Sequence, residues 1–546
     1  LMVLRKGLFW HYLEPCNLRP IVKEEYKEPC SRLYIRDKKT LLFEVTYYKK
    51  RINFEVFHVL TDGTGATEFL KELVKNYLYF AHKEEGLEQV ALLPEDMTVQ
   101  DQEDDSFLKY YSKDQKRPKK RKLNAFQIRR KKKDGNHLHV HESVVSVQAV
   151  LKRSRELGVS MTIFLTALFM MAINEEMSKM QKKKPVVLMV PVNLRKFFPS
   201  TSMLNFFNWI EPGYNFTTQD QSFEAVLKYT KEFFETELTK EKMSAHISEL
   251  LALELHPILR LAPLELKNLC IQAGAKYSEK NTTAIFSNMS AVKMPESYVP
   301  YIERFGVYTN TPKLELCLCS FQDKLSFAFT SRYDTVNIER NFYRLLKEQG
   351  IISEKVKPEF PKTGKPSEQE MKVYKIYSFL CIAIVAAMLV TDLNFHPRIR
   401  WTLFTAGGVV TMWIASSIGF FKRYNLLKNA MWQLIIGTII CFIWDALTGW
   451  HSWSVDLVLP IMSVSTLAAM FVTAKVQKSP VREYLIYEIM AAGYGLILPV
   501  ILLLCGVVKN PTVSMFGALT CFLFLVAVIL FKGREFKEEM QKNLHV

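Results

Sequence analysis

Residues 54–73 read FEVFHVLTDGTGATEFLKEL, and the fold assignment turns on them. Just upstream, LLFEVTYY (41–48) and INFEVFHV (52–59) are rich in aromatic and β-branched residues. The polar Lys49-Lys50-Arg51 separates them, so the pair predicts a β-hairpin. Downstream, Phe69, Leu70, Leu73, Tyr77 and Phe80 recur at helical spacing. His58 therefore stands where an apolar strand ends, four residues before Asp62-Gly63 and the start of a helix. Taken alone, this H-x-x-x-D-G spacing also suits a hairpin end with a satisfied histidine and a turn Asp-Gly.

The chain has 546 residues, more than one ordinary domain, and its apolar residues are unevenly spread. Residues 1–365 carry charges throughout and read as soluble α/β protein. Residues 371–531 are mostly apolar stretches of about 20 residues, long enough to cross a bilayer. The net charge of +17 comes from 72 Lys+Arg against 55 Asp+Glu. Much of it lies in KDQKRPKKRKLNAFQIRRKKK (113–133) and in the loops flanking the apolar stretches, so it is not a general nucleic-acid signature. That run reads first as a solvated loop and second as a patch for anionic headgroups. The nine cysteines show no paired zinc-ligand spacing and read as reduced thiols. His137, His139 and His141 would share one face of a strand, but no carboxylate or cysteine is spaced to complete a site, and no metal is expected.

The remaining soluble part predicts a charged excursion (84–135) and then a strand and a helix up to a break at Gly158. A second helix opens near Ser160 or Thr162. A buried-type strand follows in KPVVLMVPVNLR (184–195), then a long helical region from 222 to about 274. Strands return in 282–292 and 313–333, and a last amphipathic helix covers 337–350. The expected domains are 1–354, a linker 355–370, a helical membrane domain 371–533 and a tail 534–546. The chain starts at Leu1, and residues 1–354 are expected to lack their true N-terminus.

Six spans are expected near 373–392, 401–420, 430–449, 455–474, 484–508 and 511–531. Lys422, Arg423 and Lys428, then Lys475, Lys478 and Arg482, then Lys532, Arg534 and Lys537 fall in alternate loops and the tail. This bias predicts both ends on the cytoplasmic side, with Ser452 in an outer loop and Ser479 in an inner one. Arg398 and Arg400 run against it. Glu488, inside the fifth span, is the best candidate for a functional intramembrane group.

The company kept by the His58 motif gives it meaning. FHVLTDGTGATEFLKELVKNYL resembles the active-site segment of the CoA-dependent acyltransferase superfamily, which includes chloramphenicol acetyltransferase, condensation domains, wax ester synthases and alcohol acetyltransferases. LGVSMTIFLTALFMMAI, VPVNLRKFFPSTSMLNFFN, TTAIFSNMSAVKMP and LSFAFTSRYDTVNIERNFYRLL resemble further segments of that family, in the family's order. The resemblance covers about residues 1–350 and is strongest to bacterial alcohol acetyltransferase-like proteins with a hydrophobic C-terminal region. Three departures stand out: a single His58 preceded by Phe57 rather than a doubled histidine, no preceding first strand and helix, and Ser290 where many relatives carry Gly.

The resemblance implies a two-lobed α/β chloramphenicol-acetyltransferase-like domain followed by an all-α bundle of about six transmembrane helices. It implies a catalytic group of His58, Asp62 and Gly63. His58 acts directly on the acceptor as general base with no acyl-enzyme, since an imidazole takes a proton near neutral pH. Asp62 is implied to turn away and pair with an arginine, Arg195 first and Arg332 second, and Gly63 to let the backbone turn into the helix. Ser287 and Asn288 are the substrate and oxyanion candidates. The expected co-substrate is acyl-CoA, with acetyl-CoA favoured, and the expected acceptor is a lipophilic alcohol, with no nucleic acid as partner. Amide-forming transfer and a catalytically silent binding domain on a transporter-like protein remain alternatives. The expected location is a bacterial cell membrane, multi-pass, with the catalytic domain cytoplasmic.

Overall fold

The computed structural model describes residues 1–7, 9–35, 39–91, 104–112, 124–128, 138–333, 335–356, 358–360, 366–395, 401–421, 425–476 and 481–544. Most of the basic run 113–133, together with His137 and Ser479, lies outside the described residues. The chain forms two compact units: Leu1–Val3, Leu13–Tyr34 and Leu41–Thr363 make the first, and Leu4–Tyr12, Ile35–Thr40 and Gly364–Val546 the second.

The chain opens with strands β1 (Met2–Lys6) and β2 (His11–Pro15), which pair with each other. The first unit then holds a three-stranded sheet of β3 (Lys23–Glu24), β4 (Phe43–Tyr48) and β5 (Arg51–Val56). The hairpin β4–β5 turns at Lys49, whose φ is 53°. Its eight-stranded sheet is built from β6 (His139–Ser146), β7 (Val186–Asn193), β8 (Phe207–Ile210), β9 (Gly213–Tyr214), β10 (Ala284–Ala291), β11 (Leu314–Phe321), β12 (Lys324–Ser331) and β13 (Glu354–Val356). The order is β13-β6-β12-β11-β10-β7-β8, with β9 also on β7. Strands β7, β10 and β11 run parallel, and β11, β12 and β6 antiparallel. Part of the expected linker is thus folded, since Glu354–Val356 pairs with Val144–Glu142 as an edge strand.

Among the helices that frame these strands are α1 (Gly63–His82), α2 (Ser106–Lys109), α3 (Val147–Glu156) and α4 (Met161–Glu175). The helical region expected from 222 to about 274 consists of four helices: α5 (Phe223–Glu237), α6 (Lys240–Glu254), α7 (Pro257–Leu261) and α8 (Leu264–Ser278). Pro257 and Pro263 explain two of the interruptions, because the residue before a proline is pushed out of the helical region. Helix α9 (Asn337–Glu348) closes the unit.

Helix α4 is apolar all round, as a helix buried on every side must be. Eleven of its residues, Ile163 to Asn174 with one exception, are buried. Gly158 (φ 66°) turns the chain before it, and the Ser160 hydroxyl caps it by accepting from Ile163 N–H at 3.3 Å. Leu314, Leu316 and Leu318 of β11 join α4 in the main core. The other face of β11 holds Glu315, Cys317 and Cys319, also buried, and this polar face belongs to the site.

The second unit contains α10 (Pro366–Phe395), α11 (Trp401–Phe421), α12 (Leu426–Leu447), α13 (Leu459–Val476), α14 (Val481–Leu504) and α15 (Pro511–Leu544). Among the described residues five segments are long and apolar enough to cross a membrane: Met371–Met388, Leu426–Leu447, Ser454–Val476, Tyr484–Leu504 and Pro511–Lys532. The second expected span, 401–420, contains a shorter apolar run, Ala406–Phe420. Small residues let the helices approach closely. A Cβ on Gly495 would lie 2.7 Å from Cys521 Sγ, and one on Gly517 would lie 2.6 Å from Pro460 Cβ.

The acidic residues of this unit divide by their bonds. Asp445 accepts from His451 N–H (2.7 Å), Ser454 N–H (3.0 Å) and Ser454 Oγ–H (2.7 Å). Asp456 accepts from Lys509 and Asn510 N–H, each at 3.1 Å. Both tie loops to helix ends and have a structural task. Glu488 differs: it is 2% exposed, and its Oε1 has no hydrogen-bond partner among the described residues.

Candidate active site

Strand β5 ends at Val56, and the chain leaves the sheet through Phe57 and His58, both exposed. The imidazole is thus reachable from solvent, and Phe207 lies beside it with ring centroids 5.2 Å apart. Asn205 grips the histidine twice. Its Nδ2 donates to His58 O at 2.8 Å, so its Oδ1 faces His58 Nδ1 at 3.0 Å. An amide oxygen can only accept, so in the neutral imidazole Nδ1 carries the hydrogen and Nε2 the lone pair. That is the tautomer a general base requires.

Asp62 is 5% exposed and fully engaged. Its Oδ1 caps α1 by accepting from Thr64 N–H (3.0 Å) and Gly65 N–H (3.2 Å). Its Oδ2 accepts from Arg195 Nη1 (2.6 Å) and Phe206 N–H (2.9 Å). With both oxygens saturated, Asp62 has no lone pair directed at a substrate. The partner arginine is Arg195; Arg332 instead donates to Asn310 Oδ1 at 2.5 Å. Arg195 also gathers the loop after β7, donating to Ser202 O at 2.7 Å and Leu204 O at 2.7 Å. The loop so held is the one that carries Asn205. Asp62, Arg195, the 202–206 loop, Asn205 and His58 thus form one hydrogen-bonded chain.

Gly63 has no left-handed φ, so the turn itself does not demand glycine there. Its smallness serves close approach: a Cβ would sit 2.0 Å from the flexible Met289 Cε. Gly65 is the stricter position, since a Cβ would meet Thr61 Oγ1 at 2.1 Å and the Met203 carbonyl oxygen at 2.5 Å. Thr61 Oγ–H donates to that same carbonyl at 2.6 Å. The second glycine of DGTG lets α1 press against the loop; sequence reasoning singled out Gly63 instead, and for the turn into the helix.

Ser287 and Asn288 lie within β10, just before its register shifts between Asn288 and Ala291. Ser287 pairs in register with Cys317 and so shares the polar face of the sheet. Asn288 is committed: its Nδ2 donates to Thr162 Oγ1 at 3.0 Å, and its Oδ1 accepts from Ser290 N–H at 2.9 Å. Ser290 adopts φ 65°, the conformation that glycine supplies at no steric cost. Asn288 thereby fixes the irregularity late in β10 and the start of α4, and no hydrogen bond of that kind holds the Ser287 hydroxyl among the described residues.

Glu315 on that polar face escaped sequence reasoning. Burial raises its carboxyl above the ordinary carboxylate range, against the pull of nearby Thr309, Cys317 and Thr311 and the His58 imidazole. Cys317 Sγ–H donates to Glu315 Oε1 at 3.6 Å. Burial also pushes the Cys317 thiol well up and the Cys30 thiol up to about 12. His141 stands 2.8 Å from Glu339, a carboxylate distant in sequence.

Residues 360–546 match a family described as a family of unknown function (DUF6320). No curated protein matches the chain. Among solved structures, the epimerization domain from the third module of tyrocidine synthetase B is similar at TM-score 0.37 and 12% identity, covering 64% of this chain and 84% of that one. The wax ester synthase/diacylglycerol acyltransferase of Marinobacter aquaeolei VT8 is similar at 0.36 and 13%, covering 64% and 85%. Trichothecene 15-O-acetyltransferase of Fusarium sporotrichioides is similar at 0.36 and 11%, covering 57% and 70%. At these scores, what the site does has to be derived from its own geometry.

Proposed function

We propose that this protein is a membrane-anchored acyltransferase. It moves an acetyl or other short acyl group from acyl-CoA to a hydroxyl of a lipophilic acceptor, with His58 as general base. The observation that carries this reading is the exposed His58, held by Asn205 with Nε2 free while Asp62 is withdrawn into the Arg195 pair. Nε2 takes the acceptor's proton as its oxygen attacks the thioester carbonyl. The tetrahedral adduct then collapses, breaking the C–S bond, and the imidazolium returns the proton to the departing thiolate. Ester and free thiol result, with atoms and charge balanced. Ser287 is the hydroxyl we assign to the developing oxyanion.

Mass spectrometry tests this. The full chain in nanodiscs, incubated with acetyl-CoA and a pool of lipids and alcohols, is expected to release free CoA and one acetylated alcohol in equal amounts. Hydrolysis of acetyl-CoA without an acylated product would overturn the reading.

The topology has its own test. Ser452, a natural probe position by sequence, is fully buried and cannot report. Cys270 and Cys505 are exposed natural probes, one in each unit. With the catalytic unit inside, an impermeant maleimide on intact cells labels Cys505, a signal lost in Cys505→Ala, and leaves Cys270 untouched until the membrane is dissolved in detergent. The reverse pattern would separate the catalytic unit from cytoplasmic CoA and exclude the acyl-CoA mechanism.

A further inference from the structure

Helix α8 is packed the wrong way round for a soluble surface. Lys267 is 4% exposed, tucked under the helix with its Nζ donating to Arg260 O at 3.1 Å. Leu266, Leu269 and Tyr277 are 53%, 66% and 71% exposed. At helical spacing Leu266, Leu269, Cys270, Ala273 and Tyr277 fall in one stripe, so the apolar face of α8 looks outward. The stripe continues into the short α7, where Leu261 is 74% exposed. Every residue from Ile271 to Lys280 is exposed, so this end of α8 projects from the unit.

A projecting helix with leucines outward and a lysine inward costs hydrophobic free energy in water, and needs an apolar partner. Arg260, Lys276 and Lys280 are exposed around the stripe, as are Glu265 and Glu279. An apolar face with a tyrosine and a charged rim, three cations to two carboxylates, suits the boundary between acyl chains and headgroups. The same chain carries five segments long and apolar enough to span a membrane, which would bring a bilayer to this unit. We propose that the outward stripe of α8 lies in the membrane interface, as a second, monotopic contact of the catalytic unit with anionic lipid.

The proposal rests on the second unit spanning a bilayer, and the test separates the two. Nitroxide labels are placed singly at Leu269→Cys (stripe), Ala275→Cys (opposite side of α8) and Leu519→Cys (lipid face of α15), with Cys270 and Cys505 replaced by Ala. The full chain is held in nanodiscs containing phosphatidylglycerol, and collisions with oxygen and with a water-soluble nickel chelate are compared. The expected result is an oxygen preference at 269, as at 519, with the preference reversed at 275. Nickel preference at 269 with oxygen preference at 519 would overturn the docking and leave the spanning intact. Shielding of 269 from both reagents would mean that protein covers the stripe, which also overturns it. Nickel preference at 519 would remove both.

Discussion

His58→Ala is expected to lower kcat for acyl transfer by about 10²–10⁴, the usual worth of a general base, while the soluble unit folds as before. The side chain is exposed and its neighbours, Asn205 and Phe207, do not need it to close a core. Little packing is lost, so circular dichroism and the unfolding midpoint should match wild type. Turnover within about threefold of wild type, well below the range for a base, would remove His58 from the mechanism. Asn205→Ala refines the test, because it leaves the imidazole in place and removes what selects its tautomer. One neutral hydrogen bond is worth ~1 kcal/mol, so a loss of about five- to tenfold in kcat is expected. KM for the acyl donor should be unchanged, since Asn205 touches the histidine and not the donor. A rise in KM with unchanged kcat would make Asn205 a binding residue instead.

Asp62→Asn is expected to damage stability and activity together. The carboxylate is buried, and its Oδ2 is shared by Arg195 and the Phe206 amide. Asparagine keeps one acceptor oxygen and brings two amide hydrogens toward donors that already point inward. Breaking a buried pair by removing one partner costs ~3–5 kcal/mol, because the remaining charge stays buried. The unfolding midpoint of the soluble unit should fall clearly, and transfer should fall with it as the 202–206 loop loosens its hold on His58. An unchanged midpoint with lost activity would make Asp62 a proton carrier, and the scaffold role would be withdrawn.

Two features of the site show how far sequence reaches. His58 and Asp62 were legible because a hairpin, a turn and a helix are local: strand alternation, Asp-Gly and a helical repeat lie within the 40 residues from Phe43 to His82. Asn205 was not legible, although it stands in the quoted segment MLNFFN, because its partner is 147 positions away. Only the closure of the 202–206 loop onto α1 brings the two together. The one available signal was an asparagine in a polar loop following an arginine, and that describes many loops. Gly65 was missed for a similar reason. Its constraint is not its own φ but the Met203 carbonyl pressed against it.

The helical unit was read from composition, since some 20 apolar residues announce themselves without any tertiary context. The division of its acids was not. Asp445, Asp456 and Glu488 look alike in a hydropathy profile, and only packing separates two loop ties from a buried carboxylate whose Oε1 has no hydrogen-bond partner among the described residues. The same holds for α8, whose stripe any helical wheel would place inward. Local periodicity and composition therefore determined the elements, the polypeptide's two halves and the histidine at the strand end, because those depend on neighbours in the chain. The tertiary structure alone decided which arginine meets Asp62, which amide orients His58 and which face of α8 looks outward. Those depend on groups that folding brings together from more than a hundred residues apart, or on which side of a helix the core happens to take.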